Sequence, residues 1–440
     1  MKGQKLHLTL ALILLLFAGP VVPPTVALAA EELWQPVGSL DDLARNYVLL
    51  VLRMDKQTPG FNDYYYGPPE WKQRADAEEK VPVVELRRET QALLAALKQT
   101  GGRPERRRWF RQQLIALDTN LRKLEGEKIP IAEQARLLFD LRVTPPTAEE
   151  LDAALAELER LVPGSGPLAA RVDAWRSRFR LREEQLPEAY QMALEATRKG
   201  ARELILLPAE EKVELEFVKN KSWGAYNWFQ GRARSRIEVN TDLPASALAV
   251  FDFAAHEAYP GHHTELATRE QRLYRELGYT EWCVSPLFTP MGTVSEAIAQ
   301  VGTDVVLTPE EKRAWHRDVF FPALGIRDVD IEQWEKIDAA LEKLGRAREH
   351  VPFLLYDQGK SEEEIVAFLE KYALMSAERA RKAIQFDREW GAYTFNYTVG
   401  REILRRYLAT GNARAKFIQL LTTPITPSLV EEWTRAGAQP

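Results

Sequence analysis

Apolar residues recur at three- and four-residue intervals along most of the chain, the spacing of one helix face. Leu40 to Met54 carries such a face. Leu86, Thr90, Leu93, Leu94 and Leu97 form another, stopped by Gly101-Gly102, and Trp109, Leu114, Leu117, Leu121 and Leu124 a third. Thr147-Ala148-Glu149-Glu150 reads as a capping box opening a helix through Leu151, Leu155 and Leu158, with Pro163-Gly164 as its stop. Between the first two helices, Gly60-Phe61-Asn62-Asp63 and Tyr64 to Pro69 read as a loop whose tyrosines cover a core edge. The period changes near Glu214. Trp223 to Gln230 is aromatic and turn-rich, and Arg236 to Asn240 alternates polar and apolar, a strand signal. A helix then starts at Ala245. Further helices are predicted over Gly292–Gln300, Trp334–His350, Glu362–Tyr372, Ser376–Trp390 and Arg401–Leu408. The expected fold is therefore mainly α with a small β-sheet beside the helix that follows Ala245. A helical lobe spans about 30–207 and a second lobe about 208–440.

Composition narrows the picture little. Of 440 residues, 45% are hydrophobic and 28% charged, as in ordinary globular proteins. A net charge of −5 offers no electrostatic case for nucleic acid or an anionic membrane surface. The single cysteine, Cys283, rules out an internal disulfide. The N-terminus has a pattern of its own. Lys2 and Lys5 precede an apolar run from Leu8 to Gly19, and Ala27-Leu28-Ala29 fits a cleavage site. This predicts a signal peptide over residues 1–29, a secreted or extracytoplasmic protein and no integral span after its removal. The apolar run is too short to span a bilayer comfortably.

Candidate chemistry concentrates in one stretch. Three of the six histidines fall in His256-Glu257-Ala258-Tyr259-Pro260-Gly261-His262-His263. A zinc-binding helix commonly presents H-E-x-x-H, with two histidines on one face and a base between them. Here Pro260 occupies the position of the second histidine. On an unbroken helix His256 and His262 would lie about 9 Å apart along the axis and on different faces. Pro260 and Gly261 predict a break or bulge that returns a histidine to His256. His262 needs the smaller distortion and is the preferred second ligand, with His263 as the alternative or as a substrate contact.

A catalytic zinc needs a third protein ligand and an open position. Glu296, on a helix with the small neighbours Ser295, Ala297 and Ala299, is the best candidate; His316 and His350 are weaker ones. Glu257 points about 100° away from His256 on a helix, so it suits the role of base toward a zinc-bound water rather than that of ligand. Tyr397 or Tyr393 could donate a hydrogen bond to a developing oxyanion, Tyr397 being preferred.

H-E-A-Y-P-G-H-H resembles the signature of the bacterial proteins grouped as domain of unknown function 885. Gly60-Phe61 with Tyr65-Tyr66-Gly67-Pro68, Ser295-Glu296-Ala297 and Asn396 to Gly400 are similar to further segments of that group, although its Glu-Gly-Trp is here Glu296-Ala297-Ile298. The resemblance runs from about residue 40 to 408. It implies a large helical zincin-like metallopeptidase fold of the gluzincin type, with Glu as third zinc ligand and peptide-bond hydrolysis as the activity. The function expected on these grounds is an exported Zn2+-dependent metallopeptidase acting on short peptides. A zinc hydrolase of a non-peptide amide or ester would use the same residues. A silent peptide-binding scaffold would have no need of Glu257.

Overall fold

A computed structural model describes residues 34–221, 223–242 and 245–437; the leader pattern over 1–29 lies outside them. Helices account for most of the described residues, and several start where a side chain accepts from the free N–H groups of the first turn. Ser39 and Asp42 form a capping box at the head of Leu40–Gln57. Thr147 and Glu150 form another at the head of Ala148–Leu161, and Gly164 then turns the chain at φ 105°. Glu362–Tyr372 has the predicted bounds. Among the described residues no helix is long and apolar enough to cross a membrane.

Two small sheets interrupt the helices. The stretch read as a loop holds strand β1 (Asn62–Tyr65). The remaining strands are β2 (Lys212–Val218), β3 (Ala225–Phe229), β4 (Arg234–Asn240) and β5 (Val284–Pro286). β1 pairs antiparallel with β5. In the other sheet β4 is central, parallel to β2 and antiparallel to β3, which leaves β3 at an edge. The aromatic, turn-rich segment is thus largely a strand. Tyr226 and Trp228 stand opposite Glu238 and Arg236, while Asn227 and Phe229 share the other face with Ile237 and Ser235. Arg232 and Ala233, both at positive φ in the β3–β4 turn, donate backbone N–H groups to Glu270 at 2.9 and 3.0 Å.

Two of the hydrophobic clusters among the described residues flank the candidate site. One gathers Trp175, Tyr190, Ile237, Phe251, Phe320 and Ile337. The other gathers Phe139, Val294, Ile298, Phe395, Leu404 and Phe417. Each draws on residues before 207 and after 208, so that position does not separate two cores, and the chain from Trp34 on forms one unit. The helices that carry His256 and Glu296 belong to different clusters, which places their meeting point at the seam between them.

The N-terminal helices are tied to the segment that leads into β5 by a buried ion pair. Arg106, on the helix Pro104–Leu124, donates from Nε and Nη2 to the two oxygens of Glu281 at 2.7 and 2.8 Å, just before β5. Glu281 is fully buried. Glu281→Ala leaves a buried guanidinium with only the exposed Asp41 as partner, and should lower the unfolding free energy by about 3–5 kcal/mol. Urea denaturation of the variant measures this.

Candidate metal centre

The centre is built around a helix that stops early. Ala247–Glu257 begins at Ser246, whose hydroxyl accepts from the Leu248 N–H, and ends where Pro260 brings no donor. Tyr259-Pro260 is a cis peptide. Gly261 donates to Ala255 O at 3.0 Å, and a second helix, His262–Arg269, starts at once. Only glycine fits at 261, because a Cβ there would lie 1.8 Å from the carbonyl oxygen of His256. The break folds the chain back so that the rings of His256 and His262 lie 4.7 Å apart between centroids.

Glu296 reaches the pair from the helix Pro290–Val301. Its Oε2 lies 3.3 Å from His256 Nε2 and 3.9 Å from His262 Nε2. The three ligand atoms lie within 4.8 Å of one another. Donors at about 2.1 Å from a tetrahedral zinc stand roughly 3.4 Å apart, so the spacing fits with little adjustment. The donor set, two imidazoles and one carboxylate, is that of a catalytic zinc site. Glu296 Oε2 is buried without a hydrogen-bond partner, whereas Oε1 accepts from the Tyr393 hydroxyl at 3.1 Å. An orphaned carboxylate oxygen facing two imidazoles is what a cation would satisfy.

The residues behind the ligands orient them. His262 Nδ1 meets Ser295 Oγ at 3.1 Å; Ser295 donates to Glu265 Oε2 at 2.5 Å, and Glu265 pairs with the buried Arg269. This chain fixes which ring nitrogen of His262 faces Glu296. Glu265 follows His262 by one helical turn and Ser295 adjoins Glu296, so both were within reach of spacing arguments.

The carboxylates of Glu296 and Glu257 are pulled in opposite directions. Burial works against the Glu296 anion, but His256, His262 and Tyr393 outweigh it and lower its pKa. Burial dominates at Glu257 and raises its pKa, with both histidines opposing. The two neighbouring acids are thus shifted apart, Glu296 toward the ionised form and Glu257 toward the protonated one. The backbone carbonyl of Glu257, past the reach of the helix ladder, accepts from Asn227 Nδ2 at 2.6 Å, pinning β3 to the end of the metal helix. Tyr397 is half-buried, with its ring 5.9 Å from that of Tyr393. Its pKa is raised by burial and by the charges of Glu296 and Glu257.

His263 is a correction. It is not beside His256 and cannot meet a ligand or substrate there. Neighbouring helix residues diverge by about 100°, and His263 points into the core. It is fully buried, with Nδ1 at 2.9 Å from Ser235 Oγ and Nε2 at 3.2 Å from Glu211 Oε2. Glu211 also accepts from Tyr259 at 2.6 Å and from Arg198 and Arg202. His263→Ala is expected to leave zinc content unchanged and to cost about 1–3 kcal/mol of stability through unpaired buried groups. Metal analysis beside thermal unfolding separates the two effects. Tyr393, too, faces Glu296 rather than open space. His316, bonded to Lys312 O, and His350, against Phe368, lie outside the cluster.

No family model matches the chain, and no curated protein matches it in sequence. Solved structures do. A "putative lipoprotein" from Colwellia psychrerythraea is similar over 91% of this chain and 77% of its own, at 14% identity and a TM-score of 0.51. A protein of the same description and unknown function from Shewanella oneidensis is similar over 92% and 79%, at 11% identity and a TM-score of 0.47. An M32 carboxypeptidase from Deinococcus radiodurans R1 is similar over 90% and 93%, at 12% identity and a TM-score of 0.37. At such identity the first similarity bears on the fold.

Proposed function

We propose that this chain is an exported zinc-dependent hydrolase that cleaves peptide bonds in short peptides, and that it belongs with the domain of unknown function 885 group which its motifs resemble. The observation that carries the reading is the return of His262 to His256 across Pro260-Gly261, with an orphaned Glu296 oxygen facing both. His256, His262 and Glu296 hold the metal. Zn2+, when bound, supplies a Lewis acid that acidifies water and polarises a carbonyl oxygen. Glu257 accepts the proton of the attacking water and passes it to the leaving amine, a transfer suited to a carboxyl with a raised pKa. Tyr397 keeps its phenolic proton and donates it as a hydrogen bond to the developing oxyanion. Tyr393 holds Glu296 in place. The N-terminal basic and apolar pattern supports export.

The test combines elemental analysis of the purified protein with a library of short fluorogenic peptides. Stoichiometric zinc and hydrolysis that stops on chelation and returns with added Zn2+ are expected. Hydrolysis that persists without metal overturns the reading.

A further inference from the structure

Charge pairing around the centre leaves two carboxylates without a cation among the described residues, Glu257, already assigned as the base, and Asp63. Glu296 faces two histidines, Glu265 has Arg269, and Glu211 has Arg198 and Arg202. Asp252, one turn before His256, has Lys312 at 3.8 Å. Asp63 has no cation within ion-pair distance among the described residues. Its Oδ1 accepts from the Tyr226 hydroxyl, and its other oxygen receives no hydrogen bond from the described residues.

Its position is defined by two strands. β1 turns Tyr64 into the core, against Phe229 and Tyr66, and so turns Asp63 to the opposite side. Tyr226 adjoins Asn227, which bonds the Glu257 carbonyl. Asp63 thus sits between β5, which leads into the helix carrying Glu296, and β3, which is pinned to the end of the helix carrying His256. Its carboxyl is pushed up to about 6 by burial, against the pull of Tyr226 and His262, with the Glu296 and Glu257 charges adding to the rise. The Tyr226 ring is held 4.7 Å from that of Trp228 and 5.4 Å from that of Trp223, which makes a rigid wall.

We propose that Asp63 and Tyr226 form the subsite for a primary ammonium group of the substrate, foremost the free amino terminus of a short peptide. An ammonium brings three donors and a full charge. The free oxygen of Asp63 and the lone pairs of Tyr226 accept from it, and the pairing compensates the charge of a half-buried carboxylate that has no other cation partner among the described residues. Anchoring the amino terminus beside the centre confines cleavage to the amino-terminal end of the substrate. This deepens the peptidase reading above and rests on it for the reaction, though not for binding.

Binding is measured by calorimetry on zinc-supplemented Glu257→Gln protein, with Ala-Ala-Ala-amide, its N-acetyl form and N-acetyl-Lys-Ala-Ala-amide as probes. Acetylation of the first peptide should weaken binding by roughly 10- to 100-fold. Adding Asp63→Asn, whose amide oxygen can still accept from Tyr226, should abolish that preference, and Tyr226→Phe should reduce it. Equal binding of the free and acetylated peptides, or a preference that survives Asp63→Asn, overturns the proposal. An acetylated lysyl peptide bound as tightly as the free amine, in an Asp63-dependent way, supports the subsite and assigns its ammonium to a side chain. Wild-type protein that cleaves blocked peptides as fast as free ones rejects the subsite and keeps the peptidase reading. Protein that cleaves neither yet shows the Asp63-dependent preference rejects the peptidase reading and keeps the subsite.

Discussion

Glu257→Gln should retain zinc and lose activity by roughly a hundred- to ten-thousandfold, the range for removing a general base. Glutamine keeps the size of the side chain and its buried position at the end of the metal helix. The backbone bond from Asn227 to residue 257 is untouched by the change. Only the capacity to hold a proton goes. Two tyrosine variants sharpen the result. Tyr397→Phe removes a hydroxyl proposed to act in the transition state alone, so kcat should fall roughly 100-fold or more with little change in KM. Tyr393→Phe breaks the bond to Glu296 Oε1, so its effect should appear first as a metal affinity lower by roughly 10- to 100-fold. Steady-state kinetics at saturating zinc, beside metal titrations, distinguish the three. A Tyr397→Phe enzyme with unchanged kcat would return that tyrosine to a packing role.

His256→Ala, His262→Ala and Glu296→Ala should each abolish stoichiometric zinc, since two protein ligands rarely hold the ion against competing buffer. Ser295→Ala leaves all three ligands but frees the His262 ring, and should weaken zinc by roughly 10- to 100-fold. Gly261→Ala is the more telling variant. Every ligand remains, yet the new Cβ meets the His256 carbonyl at 1.8 Å, and that backbone cannot swing aside as a side chain would. The break must open, carrying His262 away from His256. Zinc content should therefore fall as it does for the ligand variants. Competition with a chromogenic chelator gives the affinities, and a Gly261→Ala protein with wild-type affinity would show that the break tolerates a side chain.

Local pattern reached a long way into this molecule. Helix heads such as Ser39 and Thr147 were readable because a cap and its partner lie three residues apart and act through the backbone between them. The strand at β4 announced itself by alternation. β1 and β3 did not, because their aromatic runs satisfy helix, loop and strand patterns equally and pairing with β5 and β4 decided between them. The break between His256 and His262 was likewise local: proline removes a donor and glycine admits a close backbone approach, whatever surrounds them.

What the sequence by itself determined, then, was which residues could share a face or a turn: the bent His256–His262 pair, the separate direction of Glu257, and the helical character of the fold. Only the tertiary structure decided what met across long separations. It turned His263 toward Glu211, set Tyr393 rather than open solvent against Glu296, and brought Asp63 to Tyr226, 163 residues away. The physical reason is that side-chain direction along a helix or strand follows from backbone period, whereas the partner at the far end of that direction depends on how separate elements pack against one another. No period in the sequence encodes that distance.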